Sequence, residues 1–204
     1  MLRYSLALIL AFILQVPAQA ANHLMVGDLL LQPTDCISCS MIEAEEESIY
    51  SHMGIVIEVS PEIKVAEALG KVRKVSLKDF SMKTEKGQRV AVYRFRNSAI
   101  VREFQKDSAF SVLFASDFEG LKYDHEFLWN NLDDDGQQKL YCSEMIAKML
   151  QAFLGIDPLI KRMRFRKNRE WWERYFKGNV PDGKWGNSPA DYSRSDLFYH
   201  VGEL

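Results

Sequence analysis

The chain has 204 residues, 47% of them hydrophobic and 12% aromatic, which is enough to bury one core and too little for two comfortable ones. Its 26 Lys and Arg face 28 Asp and Glu for a formal net charge of −2, a balance that argues against nucleic acid as a partner. The basic run at residues 161–169, with Arg162, Arg164, Arg166 and Lys167, reads as a solvated helix or loop face rather than as a contact to anionic lipid or cell-wall polymer.

Arg3 precedes an apolar run over residues 6–16 that closes on Pro17-Ala18-Gln19-Ala20, the pattern of a secretory signal cut after Ala20. That run is well short of the ~20 apolar residues a membrane-spanning helix needs. Residues 1–20 are therefore expected to be removed, leaving 21–204 as one exported, periplasmic domain with no stable membrane span. Residues 27–32 follow as a short buried strand, and 33–47 as a turn and a short acidic helix. Cys36 and Cys39 would share one turn of that helix, where they could form a local disulfide or stay as two buried thiols. A thioredoxin-type redox role would need a strand, loop and helix context beginning earlier in the chain.

Tyr50-Ser51-His52 leads into a β-branched run over residues 53–59, broken at Ser60-Pro61, and residues 64–69 return as its hairpin partner. Residues 70–79 and 89–96 read as two further strands. Over 98–118 the positions Ile100, Val101, Phe104, Phe110, Leu113 and Phe114 predict a helix of about five turns, ended by Gly120. A polar, aromatic segment over 123–140 reaches a second helix, from about Cys142 through Phe153, with Gly155 and Pro158 as its stop. Trp171-Trp172 with Tyr175 and Phe176 reads as core packing, and the tail from about residue 179 as an ordered but irregular extension. The pattern is α+β, a small antiparallel sheet or half-barrel packed against helices.

Three cysteines in an exported chain leave at least one without an intramolecular partner, and Cys142 is the natural remainder. A thiol reacts as thiolate, and the first turn of a helix favours that form while its amides can also receive an oxyanion. His52, at the entrance to a strand, is the candidate base, with His125 as its rival. Glu67, set among small and apolar residues, is the candidate to hold the imidazole. A tight turn at Pro61-Glu62 would put Glu67 opposite Val56, ~13 Å from His52 along the strand. A wider loop or a bulge around Ser60-Pro61 is needed to close that gap.

Gly27-Asp28-Leu29-Leu30-Leu31-Gln32, Tyr50-Ser51-His52-Met53-Gly54-Ile55-Val56, Ala66-Glu67-Ala68, Tyr123-Asp124 and Tyr141-Cys142-Ser143-Glu144, in that order, resemble the YiiX/YebB-like branch of the NlpC superfamily. Histidine before cysteine marks the circularly permuted papain-like members. The resemblance spans about 27–155, and Pro189-Ala190-Asp191 looks like a family element of the tail. It implies a permuted papain-like fold with Cys142 as nucleophile, His52 as base and Glu67 as orienting residue. Tyr50, Ser143, Tyr123 and Asp124 become candidates for substrate and oxyanion contacts. Cys36 and Cys39 stand where the family usually carries polar residues.

The activity implied is thiol hydrolysis of an amide, with cell-wall peptides as the first substrate class. A lipid amide, ester or thioester acted on by the same nucleophile is the alternative, and a non-catalytic binding protein on this fold is the third reading. No metal or cofactor is expected. Residues 131–136 mimic the first half of a calcium loop, but Cys142 stands at its twelfth position where a bidentate carboxylate is required. A zinc set of Cys36, Cys39, His52 and Cys142 lacks the second paired motif that such sites carry.

Overall fold

A computed structural model of the protein describes residues 23–204, so the signal reading of residues 1–20 lies outside the described residues. In chain order its elements are β1 (Leu29–Gln32), α1 (Ile37–Glu46), β2 (His52–Glu58), β3 (Lys64–Leu69), β4 (Lys71–Ser76), α2 (Leu77–Ser81) and β5 (Ala91–Phe95). These are followed by α3 (Ser98–Phe104), α4 (Ala109–Leu113), β6 (Lys122–Tyr123), β7 (Lys139–Leu140) and α5 (Cys142–Leu154). The last part of the chain holds β8 (Lys161–Arg162), α6 (Arg169–Tyr175), β9 (Trp185–Gly186), α7 (Pro189–Arg194) and β10 (Phe198–Glu203). One sheet runs in the order β10-β5-β1-β2-β3-β4-β6-β7, antiparallel through its six longer strands, and β8 pairs with β9 apart from it.

Both faces of this sheet are covered, which is why β2 reads as a continuous apolar run rather than an alternating one. Met53, Ile55 and Ile57 point to the side packed by Met145, Ile146 and Met149 of α5. Val56 points the other way, against Phe80 of α2, and His52 and Gly54 share its parity. Each fully buried aliphatic or aromatic side chain in these layers contributes roughly 1.5–3 kcal/mol. Ser76 ends β4 and caps α2 by accepting from the Asp79 amide at 3.0 Å, so the expected strand over 70–79 becomes a strand followed by a helical turn.

Two expectations are corrected. The five-turn helix over 98–118 is broken after Phe104, where Asp107 Oδ1 takes the Ala109 amide at 2.8 Å and so replaces a helical bond with a local one. The chain then resumes as α4, widens into a π turn at Phe114–Phe118 and stops at Gly120, whose φ is 92°. The tail from residue 179 is not irregular. Ser188 and Asp191 form a capping box around Pro189 that starts α7, and β10 joins the sheet edge with Phe198 opposite Phe95.

Gly54 allows the closest approach in the sheet. A Cβ there would lie 2.6 Å from Val65 Cγ1, 2.8 Å from Phe80 Cε2 and 3.0 Å from the Ala66 carbonyl oxygen. Gly54→Ala is therefore expected to destabilise the fold by about 1–3 kcal/mol in chemical denaturation. An unchanged midpoint would show that this layer yields without cost.

Candidate active site

The pairing of β2 with β3 sets the site. Gly54 lies opposite Glu67, Ile55 opposite Ala66 and Val56 opposite Val65, with a bulge between Val56 and Glu58. The longer connection between the strands moves Glu67 two positions closer to His52 than a tight turn at Pro61-Glu62 would. Glu67 then shares a face with His52 on the diagonal, a Cα spacing that two long side chains can bridge. His52 Nε2 meets Glu67 Oε2 at 2.8 Å.

Glu67 has no exposed surface, so its charge must be matched inside the protein. Its Oε1 accepts from Arg73 Nε at 3.0 Å, Arg73 Nη2 at 2.8 Å and Lys83 Nζ at 2.7 Å. Burial alone would raise the carboxyl pKa, but the bonds from His52 and Lys83 outweigh it and hold Glu67 at about 2. Burial likewise opposes a charged imidazole, yet the hydrogen-bonding Cys142 sulfur and Glu67 carboxylate push His52 up to about 9. The His52 ring also packs against Phe80 at a tilt of 30°, centroids 5.6 Å apart, which limits its rotation.

Cys142 is the first residue of α5, a buried free thiol 6% exposed. Tyr141 precedes it in extended backbone and gives the helix no side-chain cap, so the first-turn amides are not claimed by one. Cys142 and His52 open together on a cleft of about 350 Å³. Ile42, Phe127, Met163, Phe165 and Tyr175 also line it, as does the disulfide-bonded pair Cys36 and Cys39.

The family model described as a permuted papain-like amidase enzyme, YaeF/YiiX, C92 family, matches residues 23–182. The chain belongs to this family. It is 32% identical over 149 residues to the uncharacterized protein YiiX of Escherichia coli (strain K12), covering 73% of this chain and 68% of that one. A crystal structure of the metalloprotein yiiX from Escherichia coli O157:H7 superimposes with a TM-score of 0.74 at 24% identity, covering 88% of this chain and 97% of that one, and shares the fold. The protein is thus a permuted papain-like cysteine hydrolase of the amidase type.

Within this amidase frame the remaining candidates separate. Tyr123 and Ser143 line the cleft. The Ser143 hydroxyl donates to the Asn187 carbonyl at 3.2 Å, while its own carbonyl accepts from Asn187 Nδ2 at 3.2 Å and the Tyr192 hydroxyl at 3.0 Å. Asp124 is not among the residues that line the cleft. It is fully buried and accepts from the amides of Glu126 and Leu128 and from Asn131 Nδ2, which folds the loop that carries Phe127. Tyr50 is also outside the cleft, packed edge-on against Tyr93 at 6.2 Å, because β2 begins only at His52 and strand alternation does not extend to it. His125 is an exposed residue of the cleft lining, its ring tilted 59° against that of Tyr123.

Several residues that shape the site carry no obvious signal in the sequence. Arg73 sits directly opposite Glu67 on β4, so the register of a second hairpin would have identified it. Lys83 arrives from beyond α2. Glu144 is buried, accepts the Asn130 amide at 2.9 Å through Oε1 and leaves Oε2 unpartnered, and burial pushes its carboxyl to about 7. Asn187 comes from a tail that the sequence presents only as polar.

Replacing Glu67 by Gln removes the negative charge beside His52 while keeping the shape of the site. The imidazole pKa, followed by NMR titration, is expected to fall from about 9 by ~1–3 units. A titration that matches the wild type would separate Glu67 from His52.

Proposed function

We propose that the enzyme cleaves an amide bond with Cys142 as nucleophile, His52 as proton carrier and Glu67 as the residue that orients it. The supporting observation is the 2.8 Å bond from Glu67 to His52, which shares one cleft with Cys142 at the uncapped start of α5. Glu67 engages Nε2, so Nδ1 is the ring nitrogen left for the thiol. With its pKa held at about 9, His52 already carries a proton in the resting site, and the Cys142 sulfur attacks the carbonyl carbon beside that imidazolium. The resulting oxyanion is received by first-turn amides of α5, and His52 returns the proton to the leaving nitrogen as the C–N bond breaks. Water, deprotonated by His52, then adds to the thioester, and its collapse releases the acid and restores the thiol.

Cell-wall peptides are the proposed first substrate class, for an enzyme that works outside the cytosol. The signal-like residues 1–20 and the Cys36–Cys39 disulfide both support export. A second reading, an apolar or lipid acyl group held beside the scissile carbonyl, is favoured by the lining of Ile42, Phe127, Met163 and Phe165. The solved relative is described as a metalloprotein. Among the described residues no three His, Cys, Asp or Glu side chains converge as a ligand group.

The test is mass spectrometry of the intact protein exposed to acyl p-nitroanilides, one series peptidyl and one fatty-acyl. The wild type is expected to carry the acyl group on Cys142, and Cys142→Ala to carry none. His52→Ala should acylate ~10²–10⁴-fold more slowly, while His125→Ala stays near the wild type. Acylation that persists in Cys142→Ala would sink the assignment, and the faster series chooses between the two substrate readings.

A further inference from the structure

The hydrolytic chemistry consumes no electrons and leaves the Cys36–Cys39 disulfide without a role. The bond joins residues three apart, Cα to Cα 5.0 Å, and closes so small a loop that it restrains the unfolded chain less than a long-range bridge would. Its setting is instead that of a reactive pair. β1 ends at Gln32, a short turn follows, and Cys36 is the N-cap of the ten-residue α1 with Cys39 in its first turn. This is a strand, loop and helix arrangement.

The two sulfurs are not equivalent. Cys36 is half-buried, whereas Cys39 is 9% exposed. The Cys39 amide donates to Cys36 Sγ at 3.0 Å, and the Ser38 hydroxyl lies 3.2 Å from the same sulfur. No acidic residue occupies the first turn of α1. Amide, hydroxyl and helix dipole therefore all favour negative charge on Cys36 over Cys39 once the bond opens. Both cysteines line the cleft that holds Cys142, so a molecule able to enter the active site can also reach them.

We propose that Cys36 and Cys39 form a thiol–disulfide exchange centre that reacts with dithiols entering the active-site cleft. A donor thiolate attacks Cys36 Sγ, the Cys36–Cys39 bond breaks, and its electron pair leaves on Cys39, which takes up a proton. The donor's second thiol, as thiolate, attacks the donor sulfur of the mixed disulfide and expels Cys36 as a thiolate, which is then protonated. The protein gains two electrons and two protons, and the donor dithiol becomes a disulfide. The reverse sequence oxidises a dithiol.

The experiment uses the full chain carrying Cys142→Ala, so that it succeeds or fails independently of the hydrolase assignment. Native protein is equilibrated in dithiothreitol buffers of stepped redox ratio, quenched, alkylated and mapped by mass spectrometry. Cys36 and Cys39 are expected to become alkylated together in a two-electron transition without denaturant. With Cys39→Ser added, oxidised glutathione should be trapped on Cys36 at least tenfold faster than it is on Cys39 in the Cys36→Ser counterpart. Reduction that requires unfolding, or equal or faster trapping on Cys39, would overturn the proposal.

Discussion

A single carboxylate, Glu67, ties the chemistry of this protein to its fold. It is buried without exposed surface, and a charge so placed is tolerated only when its partners are fixed around it. One oxygen is held by Arg73 and Lys83, which leaves the other directed at His52. The two cations come from β4 and from the turn after α2, so the hairpin, its neighbour and the helix that covers them must all form before the imidazole has its anchor. The local tolerances follow from this. Gly54, opposite Glu67, has no room for a side chain, and the bulge after Val56 keeps the register that brings Glu67 to His52.

The other half of the site depends on the tail. α5 presents Cys142 at its first position, but the neighbouring residues Tyr141 and Ser143 are secured by Asn187 and Tyr192, more than forty positions later. Asn187 donates its backbone amide to the Tyr141 hydroxyl and its side-chain amide to the Ser143 carbonyl. Lys161 also bridges Glu46 of α1 to Asp191 of α7, which links the disulfide-bearing helix to the tail. The cleft is therefore enclosed by segments from the whole described chain. Such closure holds Cys142 and His52 on one cleft although they lie ninety residues apart in the sequence.

Much of this was legible before any coordinates. The strand Lys64–Leu69 coincides with its sequence reading, and α5 begins at Cys142 and ends at Gly155 because a helix start and a left-handed glycine stop are local signals. Cys142, His52 and Glu67 were candidates from residue type and local pattern, and the fold brings His52 and Glu67 to 2.8 Å with Cys142 on the same cleft as His52. Tyr50 and Asp124 lie off the cleft lining, since a motif places residues in order along the chain but does not say which way they point. The break after Phe104 was missed because apolar spacing continues across it, so that Phe110 and Phe114 still reach the core. The tail strand β10 was hidden because its exposed edge position leaves only Phe198 clearly buried. Arg73, Lys83 and Asn187 depend on pairings between distant segments, which no local pattern contains.

The most direct test of the central claim is a double-mutant cycle on the rate of Cys142 acylation, using Glu67→Gln, His52→Ala and the pair. If Glu67 acts only through the imidazole, its substitution slows the wild type but has no further effect once His52 is gone. Losses that simply add would contradict the account and give the buried carboxylate a role apart from the histidine.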